Sequence, residues 1–376
     1  MGAVYYKSYH VGHGAMHYFK ICDAYGRIEK KILIDAGSNK VDAVESVEKS
    51  KKEVIDDIFV SGTENQCIFC LTHIHDDHYS FFSSFINELD ANNHLDYVEK
   101  FYIGSCDQET LQDLIKNPPK KRKHAEFVKG MGLFDQSLRK LGCRVQFLIN
   151  SNSGAESLLW KDEDGIELHV LFNCLYSGAV HEAGETLNDN SANFLLKNTK
   201  SKEVFWVTGD ATGNTFNYLL RDGFSQSRIS TLIHECKVNI TVPHHGSMKS
   251  LVKGGFVVKG NWTTIKQLKS NGTNWTTLCD QIGLANYQLI LISCYDDQYG
   301  HPDGAALYIY SELCRYRSIN YDWIAYKQYD SEPNSLFRKM NVLGNCCLQR
   351  FQCAIASTIT HSTGDYLISG NIFGKF

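Results

Sequence analysis

Leu71-Thr72-His73-Ile74-His75-Asp76-Asp77-His78 is the stretch around which the rest of the chain is interpreted. It places three histidines and Asp77 within six residues, directly after an apolar run. Alternate side chains of a strand share a face, so we expect His73, His75 and Asp77 to point the same way, joined by His78 where a helix begins. Imidazole and carboxylate ligands suit Zn²⁺ or a similar first-row ion, whereas Ca²⁺ and Mg²⁺ favour oxygen ligands. The stretch therefore predicts half of a two-metal site.

Two other apolar strands are predicted to end in a carboxylate followed or preceded by small residues. Asp35, in Ile34-Asp35-Ala36-Gly37, is expected to orient a ligand histidine or a catalytic water. Asp210, in Thr208-Gly209-Asp210, follows a buried strand, and the neighbouring glycine leaves room for an ion. In a two-metal arrangement Asp210 would bridge both ions.

Further histidines lie at predicted strand ends or in glycine-containing loops. In Pro243-His244-His245-Gly246-Ser247, His244 is nearest the strand end and is the preferred ligand. His245 would then contact the scissile phosphate or its leaving group, and the reverse order remains open. His301 follows the last long apolar strand, and His13 lies between two glycines. Both are candidates to line the same cleft.

Composition restricts the class of protein without identifying it. The chain has 376 residues, 43% hydrophobic content and a net charge of -4, so it can bury a large core and has no global basic field. Its thirteen cysteines are scattered, which suits reduced thiols. The N-terminus does not read as a signal peptide, and no apolar run reaches the roughly 18 residues that a membrane helix needs. We expect a cytoplasmic protein that does not span a membrane.

Any contact with nucleic acid must therefore be local. The strongest basic run is Pro118-Pro119-Lys120-Lys121-Arg122-Lys123-His124. It is either a solvated loop or a phosphate contact beside the cleft, in which case Lys121 and Arg122 bind substrate. Lysines between residues 249 and 269 are further candidates.

The order and spacing of these motifs resemble the metallo-β-lactamase superfamily. The match is closer to the hydrolase domain of competence-type DNA-uptake proteins and their soluble relatives, because four more motifs are similar. They are Val11-Gly12-His13-Gly14, Ile34-Asp35-Ala36-Gly37, Asn188-Asp189-Asn190-Ser191 and Tyr299-Gly300-His301-Pro302. The resemblance implies an α/β protein, an αββα sandwich of two mixed sheets flanked by helices. It also implies phosphodiester hydrolysis, most often of DNA, and soluble members of this branch occur in anti-phage systems.

The resemblance further implies a ligand set. The first ion would take His73, His75 and Asp210, and the second Asp77, His78, Asp210 and His244. Many members have a third histidine just before the strand that precedes the bridging aspartate, where this chain has Leu187-Asn188-Asp189-Asn190. Solvent, Asp189 or His181 would take its place. Asn190 and Ser247, with His13, are expected to contact substrate.

The leading hypothesis is a metal-dependent phosphodiesterase or nuclease that cleaves DNA or RNA with two divalent ions, Zn²⁺ foremost and Mn²⁺ as the alternative. Hydroxide formed at the ions would attack phosphorus, held in line by Asp77 or Asp210. His245 or His301 would assist the leaving group as an acid. The same site would also serve a cyclic nucleotide, a lactone or a thioester. A non-catalytic binding protein on a degenerate site is the third interpretation.

The motifs end near residue 303, which sets the expected division of the chain. Residues 1–310 are predicted to form the hydrolase domain. Residues 311–376 are predicted to form a small C-terminal extension of unknown role, which is a candidate surface for a protein partner.

Overall fold

The computed structural model describes residues 3–9, 11, 14–38, 44–118, 125–148, 157–172, 186–221, 229–247, 250, 287–293 and 322–326. They divide into two compact units. The first unit contains the described residues up to 148 together with 186–192, and the second contains 157–172 and those from 193 to 326.

Each unit is built on one β-sheet, with strands and helices bounded as follows. The strands are β1 (Ala3–Ser8), β2 (Met16–Cys22), β3 (Ile28–Ala36), β4 (Cys67–Leu71), β5 (Val98–Ile103), β6 (Val145–Phe147), β7 (Leu158–Lys161), β8 (Ile166–Phe172), β9 (Asn193–Asn198), β10 (Glu203–Val207), β11 (Lys237–Thr241), β12 (Tyr287–Ser293) and β13 (Asp322–Tyr326). The helices are α1 (Val44–Ile58), α2 (Asp76–Tyr79), α3 (Phe82–Ala91), α4 (Gln108–Lys116), α5 (Ala125–Leu141), α6 (Thr186–Asp189) and α7 (Gly213–Arg221).

The sheet of the first unit has the strand order β1-β2-β3-β4-β5-β6. The pairs β1–β2 and β2–β3 are antiparallel, and the pairs from β3 to β6 are parallel. Every residue of the central strand β4 is buried, which is the pattern of a parallel strand covered on both faces. Parallel pairing aligns the carboxyl ends of β3 and β4, with Ile34 opposite Cys70. This alignment brings the residues that follow the two strands to one edge of the sheet.

Aromatic packing fixes the helices of the first unit on this sheet. The ring centroids of Phe69 on β4 and Phe82 on α3 lie 5.3 Å apart, and those of Phe82 and Phe101 on β5 lie 4.6 Å apart. Phe134 on α5 contacts Phe101 with a centroid distance of 6.1 Å. Burial of such side chains contributes about 1.5–3 kcal/mol each. The core thereby holds β4, and the motif that follows it, against α3 and α5.

The sheet of the second unit has the order β13-β12-β11-β10-β9-β8-β7. The strands from β10 to β13 pair in parallel, and those from β7 to β10 are antiparallel. Hydrogen bonds join the chain after β10 to the end of β11 and to the turn that follows it. Thr208 N donates to Thr241 Oγ1 at 2.9 Å. His244 N also donates to Gly209 O at 3.0 Å. The two strands therefore deliver Asp210 and His244 to one edge.

The predicted fold class is confirmed: the chain is α/β, with two mixed sheets flanked by helices. One expectation about local structure is wrong, because β4 ends at Leu71 and His73 does not lie on a strand. Strand β13 falls within residues 311–376 and pairs with β12. The boundary at residue 310 stays a prediction. None of the helices in the described ranges is long and apolar enough to cross a membrane.

Candidate metal centre

The histidine motif forms a tight turn between β4 and α2. His75 N donates to His73 O at 3.1 Å, and His75 is the extended residue that precedes the first turn of α2. Asp77 and His78 lie in that turn. All four side chains are buried, from fully buried for His73 to 7% exposed for His75. The turn, rather than the alternation of a strand, places the four side chains in one cluster.

The imidazoles of this cluster approach one another closely. His73 Nε2 lies 3.0 Å from His75 Nδ1, and the ring centroids of His73 and His78 are 4.1 Å apart. Asp77 and His78 offer ligand atoms within 4.8 Å of each other. Two nitrogens bound to one tetrahedral zinc ion at about 2.0–2.1 Å lie about 3.3 Å apart, close to the His73–His75 distance. The donor types and the spacing of this cluster fit a first-row divalent ion.

Asp35 lies beneath the cluster as a fully buried carboxylate at the end of β3. Its Oδ1 accepts from the backbone N–H of Thr72 at 2.7 Å. Its Oδ2 lies 2.8 Å from His78 Nδ1 and accepts from Thr72 Oγ1 at 2.9 Å. When His78 donates its Nδ1 proton to Asp35, the lone pair of the ring lies on Nε2, which is then available to a metal. The structure thus places Asp35 where it orients a candidate ligand.

Two glycines let the backbone of the first unit pack directly against the motif. A Cβ atom added to Gly37 would lie 2.5 Å from Asp76 O and 2.5 Å from His78 N. A Cβ atom added to Gly14 would lie 2.0 Å from the carbonyl oxygen of Gly37. Ala15 N also donates to Asp77 O at 2.9 Å. Only residues without side chains fit at these two positions, which holds α2 in place.

The segment from 188 to 191 approaches the cluster from a later part of the chain. Asp189 is 8% exposed, and Asn190 and Ser191 are fully buried. Ser191 Oγ lies 3.4 Å from His73 Nδ1, and Ala192 N donates to Thr72 O at 2.8 Å. Within the described part of the first unit, Asp189 is not grouped with His73 and His75 as a ligand. The segment therefore supports His73 through Ser191.

The second unit contributes a carboxylate flanked by two histidines. Asp210 Oδ1 lies 3.3 Å from His245 Nε2, and Asp210 Oδ2 lies 3.7 Å from His244 Nε2. The side chain of His245 is 3% exposed and that of His244 is 12% exposed. Both histidines have positive φ, 49° for His244 and 51° for His245, so the turn after β11 is not a regular helix. His245 is therefore the closer of the two to Asp210 and the more buried, and which of them is a ligand stays a prediction.

The remaining predicted site residues are distributed as follows. Ser247 is 3% exposed, and its N–H donates to His244 O at 2.8 Å. His13, Lys121, Arg122, His181, His301 and the lysines between 249 and 269 lie outside the described residues. Sequence reasoning did not single out Thr72, whose buried hydroxyl donates to Asp35. The only sequence signal is a polar residue between the strand end and the first histidine.

By sequence, the chain matches no protein-family profile and no curated protein. Its backbone is similar to several solved structures. Unliganded yeast PDE1 is 10% identical, with a TM-score of 0.43 over 86% of this chain and 98% of that one. YhfI from Bacillus subtilis, a metallo-β-lactamase fold protein, is 9% identical, with a TM-score of 0.37 over 90% and 92%. The short form of human tRNase Z is 9% identical, with a TM-score of 0.33 over 78% and 93%. Similarity at this level says nothing about the activity of this chain.

Proposed function

We propose that the chain is a metal-dependent phosphodiesterase that acts on nucleic acid and binds two divalent ions. The observation that carries this proposal is the buried cluster of histidines and Asp77, with His78 oriented by Asp35. Buried imidazoles and carboxylates at this density are costly unless they are paired or bind a metal. Following the resemblance, we assign His73, His75 and Asp210 to one ion, and Asp77, His78 and Asp210 to the other, with His245 in the place first given to His244.

Divalent ions bound there would lower the pKa of a water molecule and polarise a phosphoryl oxygen. The residues of the chain prepare the site for this chemistry. Asp35 fixes the ring of His78, and Asp77 and Asp210 supply the acceptors that orient an attacking water. His244 takes the role that the sequence assigned to His245, because it is the more exposed of the pair. Its imidazolium would donate a proton to the leaving oxygen.

A phosphodiester is the favoured substrate on two grounds that lie in the sequence. The motifs resemble the competence-type branch, in which phosphodiester hydrolysis prevails. Residues 120–123 form a local basic run in a chain with a net charge of -4. Such a run binds the phosphate backbone without reading the base sequence. The metal ligands alone serve phosphorus and carbonyl centres equally well, so the assay must compare substrates.

The test is cleavage of labelled single- and double-stranded DNA and RNA in the presence of Mn²⁺ or Zn²⁺. The wild type is compared with the double variant His75→Ala/Asp77→Ala and with His94→Ala, a matched control because His94 is exposed in the same unit. We expect cutting that needs metal, persists in His94→Ala and is lost in the double variant. A metal-loaded wild type that leaves all four polymers intact would exclude nucleic acid and direct the assay to cyclic nucleotides, lactones and thioesters.

A further inference from the structure

We infer that Thr72 is a positioning residue. Its hydroxyl links Asp35 to His73, so that the carboxylate that orients His78 directly also orients His73 through Thr72, and one carboxylate orients a ligand of each ion. The inference rests on the proposed function, because it takes His73 and His78 as ligands of different ions. Thr72 is fully buried, and its hydroxyl oxygen lies 2.9 Å from Asp35 Oδ2 and 3.1 Å from His73 Nδ1.

The chemistry of the three groups fixes the direction of these hydrogen bonds. A carboxylate only accepts, so the single hydroxyl proton of Thr72 points to Asp35. The oxygen of Thr72 then has lone pairs left and accepts from His73 Nδ1–H. In this arrangement the lone pair of His73 lies on Nε2, the atom that faces His75 Nδ1 at 3.0 Å. The hydroxyl therefore selects the tautomer of His73 that presents Nε2 as a ligand.

The two ions depend on this network to different degrees. His78 Nδ1 lies 2.8 Å from Asp35 Oδ2 and 3.4 Å from Thr72 Oγ1, so its main partner is the carboxylate. Asp35 Oδ1 also accepts from the backbone N–H of Thr72 at 2.7 Å, a hydrogen bond that does not depend on the side chain at position 72. Removal of the hydroxyl should weaken the ion that His73 binds and leave the ion that His78 binds largely intact.

Ser191 is the competing group, since its hydroxyl lies 3.4 Å from the same nitrogen of His73. That distance is at the limit for a hydrogen bond with an N–H donor, whereas the 3.1 Å contact of Thr72 is within the usual range. Thr72 is also joined to the buried carboxylate. We therefore assign the orientation of His73 to Thr72 and expect a smaller effect from Ser191.

The experiment compares Thr72→Val, which keeps the shape of the side chain, with Thr72→Ser, which keeps the hydroxyl. Ser191→Ala removes the competing group. Thr63→Val is the control, because it removes a buried threonine hydroxyl that accepts from Lys31 Nζ and is not part of this network. Metal-free protein is titrated with Co²⁺ and Zn²⁺ by calorimetry and visible absorption. Imidazole ¹⁵N spectra of the metal-free protein report the tautomer of His73.

We expect Thr72→Val to bind one of two ions about 10–100-fold more weakly, as is usual when a group behind a ligand is lost. Thr72→Ser should restore affinity, and Thr63→Val should match the wild type. The wild type should show His73 with its proton on Nδ1, a readout that does not require Thr72→Val to fold. Failure of the wild type to bind metal would contradict the proposed function. Two intact sites in Thr72→Val, an Nε2 proton on His73 in the wild type, or an equal loss in Ser191→Ala would overturn the inference alone.

Discussion

Adjacent histidines with the same chemistry have different surroundings in this chain. His245 is almost fully buried with its Nε2 3.3 Å from Asp210 Oδ1, whereas His244 is more exposed and lies 3.7 Å from Asp210 Oδ2. Both residues have positive φ, 49° and 51°, in the turn that follows β11. Left-handed conformations are uncommon outside glycine and usually mark sites where the surrounding structure imposes them.

This difference leads to a paired prediction. His245→Ala should lose one bound ion and all detectable hydrolysis. His244→Ala should retain both ions and lower kcat by about 10²–10⁴, the usual contribution of a general acid. Metal content by elemental analysis, beside initial rates, measures both effects. Full metal content in His245→Ala together with loss of an ion in His244→Ala would restore the assignment first made from the sequence.

Cys67 gives a prediction about pH that is independent of any metal. Burial in β4 raises the pKa of its thiol to about 12. The unfolded chain releases this proton from about pH 8.5, so the native state binds more protons above that pH. The contribution of this thiol to the free energy of unfolding should therefore be constant below that range and fall as pH rises towards 12, by up to about 1.4 kcal/mol per pH unit.

Urea unfolding of the wild type and of Cys67→Ala between pH 8 and pH 10.5 tests this contribution. The variant should be less stable at pH 8 because of the lost packing, and its stability should fall less steeply with pH. Cys143→Ala is the matched control, since Cys143 is an exposed thiol in the same unit. Parallel pH dependences in the wild type and Cys67→Ala would contradict the expected role of the buried thiol.

The sequence could identify the candidate site residues but not the contacts between them. The motif containing His73 and His78 stood out because of its density of ligand types. Asp35 could be selected as a carboxylate at a strand end. The connection of Asp35 to His73 through Thr72 depends on the parallel register of β3 and β4, which no local pattern encodes. The different burial of His244 and His245 and their different distances to Asp210 also cannot be inferred from the sequence pattern.

At the scale of the elements, buried strands were the most predictable features. Short apolar runs flanked by turn residues predict strands at 98–103 and 203–207, and β5 and β10 have these bounds. Apolar residues at helical spacing between Tyr79 and Leu89 predict one helix that starts right after His78, and the structure differs. It contains the short α2, which carries Asp77 and His78, and then α3. The break between them reflects the tight packing of α2 against the backbone around Gly37, which hydrophobic periodicity cannot reveal.

Gly37 therefore gives a prediction about an element. In Gly37→Ala the added methyl group would meet backbone atoms of α2 at 2.5 Å, so α2 must shift. We expect a loss of about 1–3 kcal/mol in the free energy of unfolding, the usual cost of overpacking, together with weaker metal binding.

Gly132→Ala is the matched control within the first unit. Gly132 lies inside α5, and an added Cβ atom would have no atom within 4 Å apart from its chain neighbours and the backbone of its own helix. Alanine is the better helix former, so the free energy of unfolding should rise by about 0.5–1 kcal/mol with metal affinity unchanged. Urea unfolding and metal titration report both quantities. Wild-type metal affinity in Gly37→Ala would show that the position of α2 does not govern the site.

At the scale of the whole molecule, the ligands proposed from the sequence form two groups far apart along the chain: His73, His75, Asp77 and His78 in one, and Asp210 and His245 in the other. A ligand that binds only the folded state adds about 2.7 kcal/mol to stability at a hundredfold excess over its Kd. If both groups of residues supply ligands, metal binding should stabilise the backbone around each group. Metal removal should therefore lower the thermal midpoint and increase amide exchange in two separate stretches of the chain.

Hydrogen exchange with and without Zn²⁺ measures this distribution directly. We expect metal to slow exchange at residues 72–78 of the first unit and at residues 208–211 and 243–247 of the second, and a chelator to reverse both changes. His75→Ala/Asp77→Ala should behave as the metal-free wild type at every Zn²⁺ concentration, because its first-unit ligands are incomplete. Protection confined to residues 72–78 would mean that Asp210 does not bridge the ions and that the first unit binds metal alone. Protection at residues 208–211 and 243–247 as well would support Asp210 and His245 as ligands, because a metal stabilises most strongly the backbone that supplies its ligands.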